Sequence, residues 1–364
     1  MKKILAGVVV SAICLYLVLR GVNWEEIPTH LGRINPGLLA LSMIGMVGAY
    51  AFMAWRWRHL LAPLMAPAPG VPALFGMTMT GYFFNTFFPA RAGDLMRAHL
   101  LSRRSGLRRT TILATVVIEK LFDGLALLVL LVAGIPALSI GEGRAEQLGL
   151  AAVLVLGLAL GGLLVFHWQA DRVVALTARL VELLPVPERI GSLAVRLVHT
   201  FSAGLRVFEK PGPLFKSAAI SLLVWLTAAG MFWAALAAFQ IAIPSPSALL
   251  LMTAVVNLGL LIPAMPGNVG NYEALILTAL VLILPGIDKD MAVAFALVFH
   301  AAQLLATLLV GGIAFWSQRV SMREMQADAG EAVAAAPAGN ADRLREHVHH
   351  TPREEATELG IEKL

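Results

Sequence analysis

The chain has 364 residues, of which 58% are hydrophobic and only 14% are charged. This is too apolar for an ordinary soluble domain, which is about half apolar and a quarter charged. The net charge of +5 comes from basic residues that flank apolar runs without a reader motif, so nucleic acid is excluded as a partner. The single cysteine, Cys14, excludes an intrachain disulfide and a cysteine-based metal site.

Long uncharged runs in chain order predict an all-α, polytopic membrane protein, because about 20 apolar residues cross a bilayer. The two lysines after Met1 place the N-terminus inside, since basic loops stay on the cytoplasmic side. By the same rule we assign Arg56 and Arg58 to the inner membrane surface. The six predicted spanning helices cover about 4–20, 37–56, 110–137, 148–168, 214–238 and 291–317.

The apolar segment at about 71–89 does not fit a simple span. If it crossed the membrane, the basic run 91–109 would lie outside, against the charge rule. Proline and glycine near its end break helices. We therefore predict a re-entrant helical hairpin with its tip near 89–94. Broken backbone at this depth requires cover from protein or a water-filled cavity.

The later part of the chain repeats this pattern. A second re-entrant hairpin is predicted over 247–285. Between the two halves, 169–213 is basic, with apolar residues at helical spacing, which predicts an amphipathic cytoplasmic linker. The composition of residues 321–364, rich in Ala, Glu and Arg, predicts a disordered cytoplasmic tail. The predicted membrane domain is therefore 1–320. The predicted location is a bacterial-type inner membrane, with both termini cytoplasmic.

The two hairpin tips share the motif P-A-x-x-G-[DN], which occurs at 89–94 and at 263–268. Each motif lies between two predicted spans, and the charge rule gives the two units, about 37–137 and 214–317, opposite orientations. An inverted pair of broken segments indicates a substrate site at the membrane midplane. The alternative is that the breaks only cap or kink helices. The predicted break residues are Pro89, Pro263, Pro266 and Gly267.

Ionisable residues lie within one predicted span. Glu119 and Asp123 share a helix face, and Lys120 lies three residues before Asp123, a spacing that allows the two to pair. Glu119 follows Arg109 by about 15 Å of helix, roughly half the hydrocarbon thickness. Ionisable groups at this depth are functional candidates. The alternative is that all three lie near the inner headgroups.

Polar residues also surround the second hairpin and the first tip. His300 and Gln303 are three apart on one helix face, although His300 is equally consistent with a hydrogen-bonded core histidine. The forked guanidinium group of arginine binds phosphate through paired hydrogen bonds, and the N-termini of helices add backbone N–H donors. Arg91 and Arg97, near the first hairpin tip, are therefore expected to bind a phosphate. The further candidates are Arg91, Arg97, Asn268, Asn271 and Glu273.

Three sequence blocks occur in order: NTFFPARAGD with Arg97, VIEKLFDG, and NLGLLIPAMPGNVGNYE. Over about residues 5–320 they resemble the lysylphosphatidylglycerol synthase transmembrane-region family, also called the flippase-like domain or uncharacterised family 0104. The resemblance implies the flippase part and not the synthase part, because the tail is too short for the soluble synthase domain. The positions that it carries over are Arg91, Gly93, Asp94, Glu119, Asp123, Pro263, Gly267, Asn268 and Glu273.

Together these features predict a lipid transporter, or flippase, that moves a phospholipid or lipid-linked headgroup between leaflets through a polar cavity. No catalytic motif is found, so enzyme activity, a cofactor and a metal are not expected. The expected partners are a phospholipid substrate and membrane lipids. A second copy of the chain and a lipid-modifying enzyme remain alternatives as protein partners. The alternatives are a membrane-embedded lipid-modifying transferase and a non-catalytic partner of a lipid-modifying enzyme.

Overall fold

A computed structural model describes residues 2–88, 92–138, 169–183, 211–260 and 265–318, with isolated positions between 147 and 191. The chain divides into two units after Gln318. The second unit lies outside the described residues, and so do the predicted tail, most of the 148–168 span and most of the 169–213 linker. The prediction of disorder in the tail therefore stays a prediction.

The described part of the chain is helical and contains no strand, which confirms the all-α prediction. Two short 3-10 turns, Ile135–Ala137 and Pro266–Asn268, accompany the helices. The helices are α1 (Lys2–Leu19), α2 (Ile27–Leu31), α3 (Pro36–Leu61), α4 (Val71–Phe87), α5 (Ala92–Ser105), α6 (Arg109–Gly134), α7 (Ala170–Leu183), α8 (Pro211–Ala238), α9 (Pro246–Gly259), α10 (Asn271–Ile283) and α11 (Lys289–Ser317).

Three of the described helices are long and apolar enough to cross a membrane: α3, residues Phe215–Ala238 of α8, and α11. Helix α6 is as long as α3, but Glu119, Lys120 and Asp123 lie along it. The described helices therefore indicate a membrane protein. The count of six spans stays a prediction.

Two of the long helices, α3 and α11, begin where the sequence supplies a capping side chain. Asn35 Oδ1 accepts a hydrogen bond from Leu38 N at 3.1 Å before α3, and Asp288 Oδ1 accepts one from Met291 N at 2.8 Å before α11. Proline follows Asn35 at the first helical position, where its missing N–H costs nothing. These caps explain why both helices start within two residues of the predicted positions.

Helices α3 and α8 pack along each other at the centre of the bundle. Gly45 lies against Met231, and Ser42 Oγ donates to the carbonyl oxygen of Met231 at 2.8 Å. Small residues allow such close helix contact, which matters in lipid because burying apolar surface there gains little. On the far side of α8, Phe232, Phe295 and Phe299 fill the core between α8 and α11.

The first predicted hairpin corresponds to α4 and α5, whose connection at 89–91 lies outside the described residues. Its two legs touch backbone to backbone, because a Cβ atom at Gly93 would overlap the carbonyl oxygen of Gly81. Asn85 Oδ1 also accepts a hydrogen bond from Gly93 N at 2.8 Å. Gly93 is therefore required by the close approach of the two legs.

The second predicted hairpin corresponds to α9 and α10, joined by a longer break. Gly267 and Asn268, within the 3-10 turn, and Gly270, just after it, have positive φ angles of 71°, 56° and 82°. Helix α1 supports this break, since Ser11 Oγ accepts a hydrogen bond from Met265 N at 3.1 Å. Two helical hairpins are thus present among the described residues, while their re-entry into a membrane stays a prediction.

The two matching motifs adopt different backbone conformations. Gly93 and Asp94 lie in the first turn of α5, whereas Gly267 and Asn268 lie in a left-handed turn. Helix α5 begins at Ala92, two residues before the end of its motif, but α10 begins only at Asn271, after the end of its own. The six-residue match therefore does not extend to local structure, and the inverted repeat stays a prediction.

Candidate functional site

The break that follows α9 lies beside the end of α4 inside the described bundle. The 3-10 turn Pro266–Asn268 lies against the C-terminal end of α4. A Cβ atom built on Gly267 would lie only 3.5 Å from the carbonyl oxygen of Thr86. The break that follows α9 and the end of α4 thus approach each other, as the substrate-site prediction requires.

A cavity of about 220 Å³ opens beside this meeting point. Helices α3, α4, α8, α9, α10 and α11 and the 3-10 turn all contribute to its wall. Such a mixture of apolar surface and a few polar groups is typical of a small-molecule site. The polar and aromatic side chains on the wall are Tyr50, Tyr82, Asn85, Thr86, Trp225, Asn257, Asn268, Tyr272, His300, Gln303 and Thr307.

The first group of buried charges centres on Arg97, which joins α5 to α6. Arg97 Nη2 donates to Glu119 Oε2 at 2.5 Å, and Arg97 Nε lies 3.3 Å from Asp94 Oδ1. The guanidinium carbon lies 4.9 Å from the centre of the Trp57 ring, within the range of a cation–π interaction. Arg97 is only 5% exposed. The predicted phosphate ligand is therefore already paired with two carboxylates.

The second group of buried charges corrects two sequence expectations. Arg56, assigned to the membrane surface, is 1% exposed and donates to Asp123 Oδ1 at 2.5 Å. The partner of Asp123 is therefore Arg56 and not Lys120, which is half-buried. Asp123 Oδ1 also accepts from Trp225 Nε1 at 3.2 Å, and Arg56 donates to Ser221 Oγ at 2.6 Å.

Helical geometry explains why Arg56 was misassigned. Arg56 and Arg58 are two residues apart, which places them on nearly opposite faces of α3. Arg58 is exposed, as predicted, while Arg56 faces α6 and α8. The spacing alone showed that only one of the two could face outward, and the buried Asp123 needed a cation.

The third group lies at the second hairpin. Glu273 Oε1 lies 2.8 Å from His300 Nδ1, and Glu273 Oε2 accepts from Gly270 N at 2.7 Å. One buried carboxylate thus caps the N-terminus of α10 and connects it to α11. Gln303 Nε2 donates to the Tyr272 hydroxyl at 2.9 Å. Neighbouring Asn271 is 5% exposed and lies in the first turn of α10.

The predicted site residues thus separate into three sets. Pro89, Arg91 and Pro263 lie outside the described residues. The charged residues around Arg97 and Asp123 do not line the cavity, and neither does Glu273. Asp123 contacts the wall through Trp225, and Glu273 contacts it through His300. The predicted residues on the wall itself are Gly267, Asn268, His300 and Gln303.

Sequence reasoning missed most of the cavity wall. Three of the chain's four tyrosines, Tyr50, Tyr82 and Tyr272, lie there, and so does Asn257. A signal was available, because tyrosines in membrane proteins collect at the interfaces. Tyr50 follows the start of α3 at Pro36 by about 21 Å of helix, which is deep for an interfacial residue.

Apolar helices, two helical hairpins and an internal polar cavity define a helical membrane protein. The chain belongs to the family described as the lysylphosphatidylglycerol synthase TM region, whose family model matches residues 4–311. The resemblance predicted from the three sequence blocks is thereby confirmed.

The chain is also similar to a protein named glycosyltransferase AglD from Haloferax volcanii. The two are 26% identical over 349 aligned positions, and the match covers 85% of this chain and 53% of that relative. The chain therefore spans about half the length of the curated relative that it matches. The family and this relative together indicate a lipid-related function in a membrane.

Proposed function

We propose that this protein is a membrane transporter that moves a phospholipid or lipid-linked headgroup between leaflets through the polar cavity. The observation that carries the proposal is the position of this cavity, where the break after α9 meets the end of α4. A headgroup that enters hydrocarbon loses its hydrogen bonds to water, which is costly. A wall of amides, hydroxyls and an imidazole offers replacements inside the bundle.

The broken backbone supports the same proposal. In lipid, peptide groups freed from a helix are tolerated only where protein or a polar cavity covers them. The break from Met265 to Gly270 lies between α1, α4 and α11, and two of its residues, Gly267 and Asn268, line the cavity. Because residues of this break line the cavity, a role in binding explains the break better than a simple kink in a helix does.

Alternating access would come from movement of one unit against the other. Arg97 connects α5 to α6, and Glu273 connects α10 to α11, so each hairpin is fastened to the long helix of its own unit. Each unit would then move as a body, with the cavity opening to one leaflet at a time. An ion gradient or the lipid gradient would supply the energy, and Arg91 remains the predicted phosphate contact.

A leaflet assay with a cavity-filling variant tests the proposal. Purified full-length protein is placed in vesicles with acyl-labelled phosphatidylglycerol, and the label accessible to an external quencher is followed over time. Ala228 is buried on the cavity wall, so Ala228→Phe should slow movement at least tenfold. Ala301→Phe, at an exposed position of α11, is the matched control and should leave movement unchanged.

Equal rates in the two variants would refute transport through the cavity.

The second candidate function, a lipid-modifying transferase or its partner, is favoured by the name of the Haloferax volcanii relative, a glycosyltransferase. Mass spectrometry of lipids from the same vesicles, supplied with a sugar donor, separates the two. A changed headgroup without leaflet movement would favour the transferase, and movement of an unchanged lipid would favour the transporter.

A further inference from the structure

The cavity wall carries no formal charge among its described residues. None of them is Asp, Glu, Lys or Arg, and the ionisable imidazole of His300 is already engaged by Glu273. The nearby buried charges are paired as well, Arg56 with Asp123 and Arg97 with Glu119. A charged terminal group would lose its hydration here without meeting an unpaired counter-charge on the described part of the wall, which disfavours it.

Side-chain amides supply the polar character of the wall instead. Asn257 Nδ2 donates to Thr253 O at 2.8 Å, and Gln303 Nε2 donates to Tyr272, so in each case the amide oxygen points to no partner among the described residues. Asn85 accepts from Gly93 through its oxygen, which leaves its NH2 group as a donor. Amides offer both donors and acceptors, and hydroxyl groups complement both.

The aromatic rings of the wall pair with one another. The ring centres of Tyr50 and Tyr82 are 4.3 Å apart, and those of Tyr272 and His300 are 4.7 Å apart. An aromatic cage for a quaternary ammonium needs rings that surround an open gap. Rings in mutual contact offer ring faces and hydroxyl groups, which suit the alternating C–H and O–H groups of a sugar or polyol.

Size limits what the cavity accepts. Its volume of about 220 Å³ lies below the roughly 300–1,000 Å³ of pockets for drug-sized ligands. It therefore holds a headgroup and leaves the acyl chains outside. We infer that the terminal group bound here, beyond any phosphate, is uncharged and rich in hydroxyl groups, of the sugar or polyol class. This inference rests on the proposed transport function and names its substrate class.

The test compares headgroups on one acyl label in vesicles that contain the full-length protein. Monoglucosyl diacylglycerol and phosphatidylinositol carry hydroxyl-rich headgroups, whereas phosphatidylcholine and phosphatidylethanolamine carry ammonium groups. We expect the first two to cross at least tenfold faster than the second two. If the ammonium lipids cross as fast or faster, the inference is overturned while transport stands. If no lipid crosses, both are overturned.

A wall variant gives a second, independent measurement. Asn257→Leu removes the amide at nearly constant side-chain volume. The ratio of the transport rate of the glucosyl lipid to that of phosphatidylcholine should fall about fivefold, which corresponds to the loss of one or two hydrogen bonds. Thr278→Val, at an exposed position of α10, should leave the ratio unchanged. A loss of folding alone would lower both rates together and preserve the ratio. An unchanged ratio in Asn257→Leu at an unchanged unfolding temperature would contradict the inference.

Discussion

The two helical hairpins carry similar sequence motifs, yet the bundle holds them by different means. In the first hairpin, a guanidinium with two carboxylate partners fastens α5 to α6, and the legs touch at Gly81 and Gly93. In the second, the carboxylate of Glu273 caps α10 and contacts an imidazole of α11. The legs of this hairpin meet through the side chain of Leu275 on Gly259.

This difference shows that a break can be stabilised by charge pairing or by hydrogen bonding. Removing one member of a buried ion pair leaves an uncompensated charge, which is costly. A carboxylate that caps a helix can be replaced in part by a neutral amide, because the backbone donor still finds an oxygen. The first hairpin should therefore respond more strongly to substitution than the second.

The largest effect is expected for Arg97→Met. It leaves the buried Glu119 and the half-buried Asp94 without their cation, so the free energy of unfolding should fall by about 3–5 kcal/mol. Arg58→Met, at an exposed position of α3, is the matched control and should change it by less than about 0.5 kcal/mol. Unfolding by detergent titration in mixed micelles gives both values. Similar losses in the two variants would show that Arg97 is not a buried ion-pair partner.

The next effect concerns the second hairpin. Glu273→Ala removes both the cap on Gly270 and the contact with His300, so stability should fall by about 2–3 kcal/mol. Glu273→Gln keeps an oxygen for the cap and should cost about 1 kcal/mol. The same titration measures both variants. If Gln is as harmful as Ala, the negative charge of Glu273 matters more than its hydrogen bonds, and the proposed contrast between the hairpins disappears.

Gly93→Ala should cost about 1–3 kcal/mol, because the new Cβ atom would overlap the carbonyl oxygen of Gly81 and force the legs apart. Gly124→Ala in α6, where nothing lies within 4 Å, should be neutral or slightly stabilising. Thermal unfolding in detergent compares the two variants. A Gly93→Ala protein as stable as the Gly124→Ala protein would rule out backbone contact between α4 and α5.

The smallest effect is expected for Gly259→Ala. The atoms nearest to its new Cβ atom belong to the end of the Leu275 side chain, which can rotate away. Alanine also favours the helix, so the net change should be under about 1 kcal/mol. Thermal unfolding beside Gly93→Ala measures the difference. A larger loss here than at Gly93 would mean that the legs of the second hairpin are the more tightly packed.

Much of the helical pattern was predictable because it depends on local signals. The starts of α3 and α11 follow from Asn35 and Asp288, and the hairpins follow from proline and glycine in apolar runs. Buried pairing was less predictable. Helical spacing allowed Lys120 to pair with Asp123, but Arg56 of another helix reaches it. The wall tyrosines escaped notice for a similar reason, since they come from three separate helices.

By itself, the sequence determined that the chain is helical and suited to a membrane, where its helices break and which family it belongs to. These properties depend on residue type, spacing and local capping, which a linear chain records directly. Only the tertiary structure decided which charges pair, that the break after α9 meets the end of α4, and that the described wall of the cavity beside them carries amides and tyrosines but no formal charge. Those features arise from contacts between helices far apart in the chain, where packing and burial select the partner.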